Sequence, residues 1–142
     1  MIYTTATKKA LKLCFDAHKN QVDKSGIPYV FHPFHLAEQM KDEKTVIVAL
    51  LHDVVEDTDC SFDDLRKIGF DEDVLEAIKL MTHKDDVPYM EYVRHIKQNQ
   101  LARAVKLADL QHNSDLSRLD NVSKKDLERR EKYAVAIRLL SD

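Results

Sequence analysis

The 142-residue chain is predicted to fold as an all-α protein, with residues 1–142 forming a single domain. Apolar residues recur at helical spacing through most of the chain, and no stretch alternates with period two for long enough to predict a strand. The chain contains only two glycines and three prolines, too few for the turns of a sheet of short strands. No internal repeat or linker divides the sequence, and its length suits one hydrophobic core.

The first helix is expected to begin at Thr4 or Thr5, either of which can cap it, and to run to about Asn20. Apolar side chains recur along it at helical spacing and are expected to face the core. These side chains are Ala6, Ala10, Leu13, Cys14 and Ala17.

A second helix is predicted from Pro33 to about Asp42, because the missing N–H of proline costs nothing in a first turn. A third helix is predicted from Thr45 to about Glu56. Its first part, Thr45 to Leu51, is apolar on nearly every side, which is typical of a helix buried at the centre of a domain.

Caps and periodicity predict five further helices. Their expected starts are Ser61, Asp71, Pro88, Gln100 and Ser123. The first of them ends at Gly69 and the fourth near Leu110. The residues of the last helix that are expected to face the core are Leu127, Ala134, Ile137 and Leu140.

Composition excludes several classes of partner. The net charge is −3, whereas surfaces that bind nucleic acids or anionic membranes carry clustered basic residues. No apolar run approaches the roughly 20 residues of a membrane span, and the N-terminus lacks a signal-peptide layout. Cys14 and Cys60 have no metal-ligand spacing, so reduced thiols and a cytoplasmic location are expected. Cys14 is expected to pack in the core.

The third predicted helix also carries the polar residues around which the rest of the site is built. His52 and Asp53 are followed by Glu56 and Asp57, and residues at i, i+3 and i+4 share a helical face. The four side chains are therefore expected to converge. Because buried charges are tolerated when they are paired or bind a metal, this stretch predicts a metal site with acid–base groups beside it.

Two other segments can complete the site. His32 lies where a loop meets the second helix, so its ring can point inwards from a fixed backbone. Asp109 and Asn113 lie four residues apart on one face of a largely apolar helix, and Lys106 precedes Asp109 by three. Lys106 can bind phosphate or can act as a surface partner of Asp109, and the sequence leaves both alternatives open.

The resulting ligand set consists of His32, His52, Asp53 and Asp109. Two imidazoles and two carboxylates without a thiolate suit Mn²⁺, Fe²⁺, Co²⁺, Ni²⁺ or Zn²⁺ better than Ca²⁺. Four ligands on a six-coordinate ion leave room for a water and a substrate oxygen, and the ion lowers the pKa of the water and polarises a phosphoryl group. Glu56 and Asp57 can orient that water or move its proton, although they could also simply end and solvate a helix.

The order and spacing of these residues resemble the HD superfamily of metal-dependent phosphohydrolases. Within it, the chain is most similar to the hydrolase domain of the RelA/SpoT family and its single-domain relatives. The matching pieces are AHKNQ from Ala17, SGIPYVFHP from Ser25, LLHDVVEDT from Leu50, and VKLAD from Val105 with His112 and Asn113. They occur in the family order across roughly residues 6–140, and LLHDVVEDT is the most specific.

The resemblance implies an HD-type helical bundle and an enzyme that hydrolyses the 3′-pyrophosphate of (p)ppGpp to give GDP or GTP and pyrophosphate. It implies a single Mn²⁺ held by the four ligands above. It further implies that Glu56 and Asp57 act on the attacking water and that Asn113 contacts the nucleotide sugar. The expected partner is thus a small-molecule nucleotide. The sequence shows no synthetase domain, so synthesis of (p)ppGpp is not expected.

The sequence departs from the family pattern where the base is recognised. Asp23 stands where an arginine commonly lies against the guanine, and Leu110 replaces another arginine. A carboxylate cannot stack on a base as a guanidinium does. Lys24 or Lys19 can partly substitute as a substrate contact. Two alternatives follow: a hydrolase of another nucleotide, such as a nucleotidase, and a non-catalytic module that binds metal and nucleotide.

The remaining histidines are expected to be structural or surface residues. They are His18, His35, His83, His95 and His112. His35 lies one helical turn from His32 and could support it from outside the ligand set.

Overall fold

The computed structural model describes residues 1–142 and consists of nine α-helices and one short 3₁₀ helix. The α-helices are α1 Thr5–His18, α2 Phe31–Glu38, α3 Glu43–Leu51, α4 Val54–Asp57, α5 Phe62–Ile68, α6 Glu72–Met81, α7 Tyr89–Lys97, α8 Gln100–Asn113 and α9 Lys124–Ser141. The 3₁₀ helix spans Leu116–Arg118. A single bridge between Val22 and Pro28 is the only β-type pairing. The predicted all-α class is confirmed.

Polar side chains start most of the helices, as their positions in the sequence predict. Thr4, Ser61 and Ser123 each form a capping box with the residue three positions later. Asp71 occupies the N-cap position of α6, as predicted, but its side chain accepts no cap hydrogen bond. Gly69 ends α5 with φ of 108°, a left-handed conformation that glycine adopts without strain.

The central helix α3 is buried along its apolar run and packs against α1, α2, α6 and α8. The prediction that this helix continues to Glu56 is wrong, since α3 ends at Leu51 and α4 begins at Val54. His52 Nδ1 bonds to the Ala49 carbonyl oxygen at 2.7 Å. In a continuous helix, this oxygen would accept from the backbone N–H of Asp53. The imidazole thus competes with the backbone where the helix breaks.

Other boundaries also differ from the prediction. The second helix begins at Phe31 and ends at Glu38, so Pro33 still lies in its first turn. The helix that carries Asp109 continues to Asn113, three residues beyond its predicted end. This extension keeps Asp109 and Asn113 on one helical face.

In α9, Leu127 was expected to face the core, but it is 43% exposed, whereas Ala136 is buried. The first turn of α9 packs through polar contacts instead. Asp126 there completes the capping box and bonds to Lys24 and Arg129.

Twenty-seven buried hydrophobic residues form one contiguous core. Cys14 belongs to it, as predicted, and burial raises the pKa of its thiol to about 12, so the thiol is unreactive near neutral pH. Both cysteines are free. None of the helices combines the length and the apolar character needed to cross a membrane.

Candidate active site

Three elements bring a buried cluster of ligand atoms together. His32 comes from α2, His52 from the turn that follows α3, and Asp109 from α8. One ligand atom of each residue lies within 4.8 Å of the others. His32 Nε2 lies 2.9 Å from Asp109 Oδ1, and His52 Nε2 lies 3.7 Å from the same oxygen. The cluster has the donor set that a divalent metal ion takes.

The orientation of His52 fits a cation particularly well. Its Nδ1–H donates to the Ala49 carbonyl, which leaves the lone pair of Nε2 facing the carboxylates in the neutral ring. This buried nitrogen has no hydrogen-bond partner. Burial opposes the imidazolium, but the carboxylates of Asp53 and Asp109 outweigh it and raise the pKa of His52 well above its ordinary value. In the metal-free protein, His52 Nε2 is thus protonated, and the imidazolium supplies the positive charge that a bound metal ion would supply.

Asp53 lies at the edge of the cluster. Its Oδ2 is 3.1 Å from His52 Nε2 and accepts a hydrogen bond from the Tyr29 hydroxyl. Burial works against ionisation, but the His52 imidazolium more than compensates and lowers the pKa of Asp53 to about 2. The structure therefore brings three predicted ligands into one tight group and places the fourth beside His52.

His112 holds His32 from the side opposite the cluster. The two Nδ1 atoms are 2.7 Å apart and share one proton, and the rings lie nearly parallel with centroids 5.0 Å apart. Burial, with help from the Arg118 guanidinium, lowers the pKa of His112 to about 4. A neutral His112 can accept from His32 Nδ1–H, and this tautomer leaves His32 Nε2 free to bind a metal.

His112 was expected to be a structural or surface residue, and its contact with a predicted metal ligand gives it a more specific role. His35, which the sequence offered as an alternative support of His32, is exposed and contacts the His112 ring instead, at a centroid distance of 4.2 Å.

Asp109 is ionised and held by three partners. Lys106 Nζ donates to Oδ2 at 2.9 Å, and Asn113 Nδ2 and His32 Nε2 contact Oδ1. Burial opposes the charge, but Lys106 and the histidines hold the pKa of Asp109 well below its usual range. Of the two roles considered for Lys106, the contact with Asp109 is present, and it is buried in the protein rather than at its surface. The lysine retains two further N–H donors.

Glu56 and Asp57 lie exposed on α4, at the open side of the cluster. Partial burial, together with the neighbouring Asp53 carboxylate, raises the pKa of each above its ordinary value. Because the chain breaks before Val54, both residues stand in the first turn of a new helix rather than at the end of a long one. Their predicted burial with His52 on one continuous helix is wrong for the same reason.

Three cavities adjoin the cluster. The first has a volume of about 490 Å³ and is lined by charged residues that include Lys24, Arg118 and Arg129 as well as by His32 and Asn113. The second, of about 440 Å³, shares Asp23, Tyr29, His32 and Arg118 with the first. The third, of about 160 Å³, adjoins Glu56, Lys106 and Asp109.

Asp23 and Lys24 lie at the first cavity, but both side chains have internal partners. Asp23 Oδ1 accepts from the backbone N–H groups of Ser25 and Ile27, and Arg118 Nη2 lies 4.0 Å from Oδ2. Lys24 pairs with Asp126 at 3.3 Å and is 59% exposed. A guanidinium thus stands beside the position where the sequence has an aspartate.

Four residues of the site were not predicted as functional from the sequence: Tyr29, Arg118, His112 and His18. Tyr29 precedes His32 by three residues in one of the matching pieces, and this position could have marked it as a candidate site residue. Arg118 lies in a 3₁₀ helix outside every matching piece, and no spacing rule could connect it to Asp23. His18 is buried, with Nδ1 bonded to Gln21 and with Nε2 unpartnered, which agrees with the structural alternative expected for it.

The chain matches a family model described as HD domain over residues 10–138. The bifunctional (p)ppGpp synthase/hydrolase SpoT of Escherichia coli (strain K12) is 31% identical over 121 residues, which cover 75% of this chain and 17% of SpoT. The guanosine-3′,5′-bis(diphosphate) 3′-pyrophosphohydrolase of Aquifex aeolicus is 32% identical, with 81% and 17% of the two chains covered. The chain thus spans about a sixth of the length of these relatives.

Two shorter proteins match along most of their length. The guanosine-3′,5′-bis(diphosphate) 3′-pyrophosphohydrolase of Danio rerio is 31% identical over 129 residues, with 81% of this chain and 71% of that protein covered. A solved structure titled as a metazoan ortholog of SpoT that hydrolyses ppGpp superposes with a TM-score of 0.74 at 29% identity. The match covers 99% of this chain and 85% of that one.

Proposed function

Because this chain belongs to the HD domain family, we propose that it is a metal-dependent phosphohydrolase that removes the 3′-pyrophosphate of (p)ppGpp. The products are GDP or GTP and pyrophosphate. The observation that carries the proposal is the buried group of His32, His52 and Asp109, with an unpartnered imidazole nitrogen facing carboxylates. The choice of (p)ppGpp as substrate is supported by the relatives that are named as guanosine-3′,5′-bis(diphosphate) 3′-pyrophosphohydrolases.

His32, His52, Asp53 and Asp109 are proposed to hold one divalent ion, and Mn²⁺ is the ion preferred here among Mn²⁺, Fe²⁺, Co²⁺, Ni²⁺ and Zn²⁺. When bound, such an ion polarises a phosphoryl oxygen and lowers the pKa of a water molecule beside it. The surrounding residues prepare this donor set. Ala49 and His112 orient the two imidazoles, and Lys106 and Tyr29 hold the two carboxylates.

Glu56 and Asp57 are proposed to take the proton of the attacking water. The new bond forms between the water oxygen and the phosphorus attached to the sugar 3′ oxygen. The bond from that phosphorus to the 3′ oxygen breaks, and the released oxygen takes up a proton to become the 3′ hydroxyl. The raised pKa of each carboxyl makes it a better base than an ordinary exposed carboxylate. A protein that only bound nucleotides would have no need of this pair.

The nucleoside is proposed to occupy the first cavity, which adjoins His32 and is the largest of the three at about 490 Å³. Asn113 lies on its wall and is proposed to contact the sugar, while Lys24 lies at its edge as a further substrate contact. Asn113 bonds to Asp109, so its amide is already fixed next to the proposed metal position.

One observation favours a second candidate function, the hydrolysis of another nucleotide. Asp23 is tied to two backbone amides and faces Arg118, so the wall of the cavity at this point differs from the pattern of the RelA/SpoT hydrolase domain. A base held there meets a guanidinium from a different segment of the chain. The chemistry at the phosphate end is the same for both candidates.

The test is a nucleotide panel incubated with the protein supplied with Mn²⁺, with phosphate and pyrophosphate measured separately. We expect pyrophosphate and GDP from ppGpp and no product after chelation of the metal. Phosphate or pyrophosphate released only from other nucleotides would favour the second candidate. Nucleotide binding without any product would contradict the enzymatic proposal and favour a binding module.

A further inference from the structure

The third cavity contains a feature that the proposed chemistry does not use. The hydroxyl of Tyr89 is buried and has no hydrogen-bond partner. Tyr89 is the first residue of α7, directly after Pro88, so its backbone is fixed by the start of a helix. The cavity beside it has a volume of about 160 Å³.

A buried hydroxyl without a partner is costly, and proteins normally provide one. The neighbouring tyrosine does so, because the hydroxyl of Tyr92 donates to the Met81 carbonyl oxygen at 2.6 Å. The same helix therefore holds one satisfied hydroxyl and one unsatisfied hydroxyl. An unsatisfied group of this kind calls for an explanation, and a ligand that accepts its hydrogen bond provides one.

Although the carboxylates of Glu56 and Asp109 also line the cavity, it offers two hydrogen-bond donors to an anion, Lys106 and the Tyr89 hydroxyl. Lys106 lines it and retains N–H donors beyond the one that it gives to Asp109. Burial raises the pKa of Tyr89, so the hydroxyl stays protonated and donates across the neutral range. Lys132 Nζ lies 4.4 Å from the centre of the Tyr89 ring and adds positive charge on that side.

The position of the cavity connects it to the reaction. Glu56 and Asp109 line it, so it adjoins both the proposed water-handling pair and the metal ligands. Asn113 and Tyr133 line both this cavity and the larger first cavity, so the two are neighbours. A nucleotide in the first cavity therefore places its scissile P–O bond between the two cavities, with the 3′-diphosphate on the side of Tyr89.

We propose that Tyr89 and Lys106 form the binding site for the 3′-diphosphate of the substrate, which is released as pyrophosphate, with the Tyr89 hydroxyl donating to one of its oxygens. This inference rests on the proposed function, since it assigns one end of the same substrate. It makes Tyr89 a substrate-binding residue of the phosphate end, separate from the residues that hold the nucleoside.

The experiment compares inorganic pyrophosphate binding to the wild-type protein and to Tyr89→Phe by calorimetry, both loaded with Mn²⁺. The substitution removes only the hydroxyl. We expect it to weaken pyrophosphate binding about 10- to 100-fold, as expected for a hydrogen bond to a charged group. Tyr3→Phe, at an exposed position, is the matched control and should bind like the wild type.

Thermal unfolding separates this role from a structural one. Because the Tyr89 hydroxyl has no partner in the protein, its removal should not lower Tm, whereas loss of a packing residue would. Equal pyrophosphate affinity of the wild type and Tyr89→Phe would overturn the inference, and so would a wild type that binds no pyrophosphate. If the wild type binds pyrophosphate through Tyr89 but hydrolyses no nucleotide, the proposed function fails and the anion site stands.

Discussion

At the scale of single residues, His52 determines most of the chemistry of the cluster. Its Nδ1 is committed to the Ala49 carbonyl, so only Nε2 can respond to what occupies the site. Without a metal, Nε2 carries a proton, because the nearby carboxylates of Asp53 and Asp109 stabilise the imidazolium. A divalent ion and this proton therefore compete for the same position.

This competition makes metal affinity depend on pH. The raised pKa of His52 means that its imidazolium stabilises the metal-free fold below the unfolded pKa of about 6.5, and that this stabilisation is lost as pH rises through the folded pKa. Because the ion needs the neutral ring, we expect affinity to rise with pH and about one proton to be released at neutral pH.

Calorimetry in buffers of different ionisation enthalpy measures this proton release. His95→Asn, at an exposed position on α7, should leave it unchanged. Metal binding without any proton uptake or release would contradict the assignment of the proton to His52.

Substitution of Glu56 is expected to lower catalytic activity and to raise thermal stability. For Glu56→Gln we expect kcat to fall about 10²- to 10⁴-fold, the usual contribution of a general base. The raised pKa means that the ionised carboxylate destabilises the fold above its unfolded pKa. The variant should therefore have a higher Tm than the wild type in the metal-free state at neutral pH, and this difference should vanish in acid.

Steady-state kinetics and thermal unfolding at two pH values test both parts of this prediction. Glu76→Gln, which is exposed on α6, is the matched control for the change in charge. Full turnover by Glu56→Gln would show that another group takes the proton.

At the scale of elements, the interruption between α3 and α4 shapes the site. It turns His52 into the core and leaves Glu56 and Asp57 at the surface, with Asp53 between them. On a continuous helix, His52 and Glu56 would have lain one turn apart on the same face. The break thus separates a buried ligand end from a solvent-facing end that can exchange protons with water.

The helix caps allow a matched test of how these elements are stabilised. The side chain of Asp42 accepts from the Thr45 N–H at 2.8 Å at the start of α3, whereas Asp71 makes no such bond at the start of α6. We expect Asp42→Ala to lower the free energy of unfolding by about 1 kcal/mol and Asp71→Ala by clearly less. Denaturant unfolding of both variants measures the difference, and equal losses would contradict the role assigned to the Asp42 hydrogen bond.

At the scale of the whole molecule, α3 is the centre of the bundle. The other two helices that carry the clustered ligands, α2 and α8, both pack against it, and they also contact each other. The ligand atoms therefore rest on elements that share one core. Such support restricts their relative movement, which favours a site with fixed geometry.

The core predicts which leucines matter for stability. Leu50 on α3 is 1% exposed, whereas Leu127 on α9 is 43% exposed. We expect Leu50→Ala to cost about 2–5 kcal/mol of unfolding free energy and Leu127→Ala to stay within about 0.5 kcal/mol of the wild type. Chemical denaturation of the two variants checks this, and a large loss for Leu127→Ala would restore the core position that periodicity assigned to it.

Local sequence signals determined the class of the fold and most of its elements. Helical periodicity and caps act over a few residues, so Ser61, Gly69 and Ser123 marked their boundaries correctly. The same signals singled out His52 and Asp109, because ionisable residues within apolar helices require a partner from elsewhere in the fold, and the structure brings both together with His32. The sequence alone could not show which distant residues lie next to each other, and the resemblance to a family indicated that these residues form one site.

Only the tertiary structure decided the features that depend on contacts between distant segments. The contact between His112 and His32 joins residues 80 positions apart, and the approach of Arg118 to Asp23 joins a 3₁₀ helix to a loop. The helix break at His52 arises because a side chain captures a backbone oxygen, which helical periodicity does not register. The unpartnered hydroxyl of Tyr89 is likewise visible only once every neighbour is placed. Periodicity describes one helix at a time, whereas burial and hydrogen bonding depend on all of the helices together.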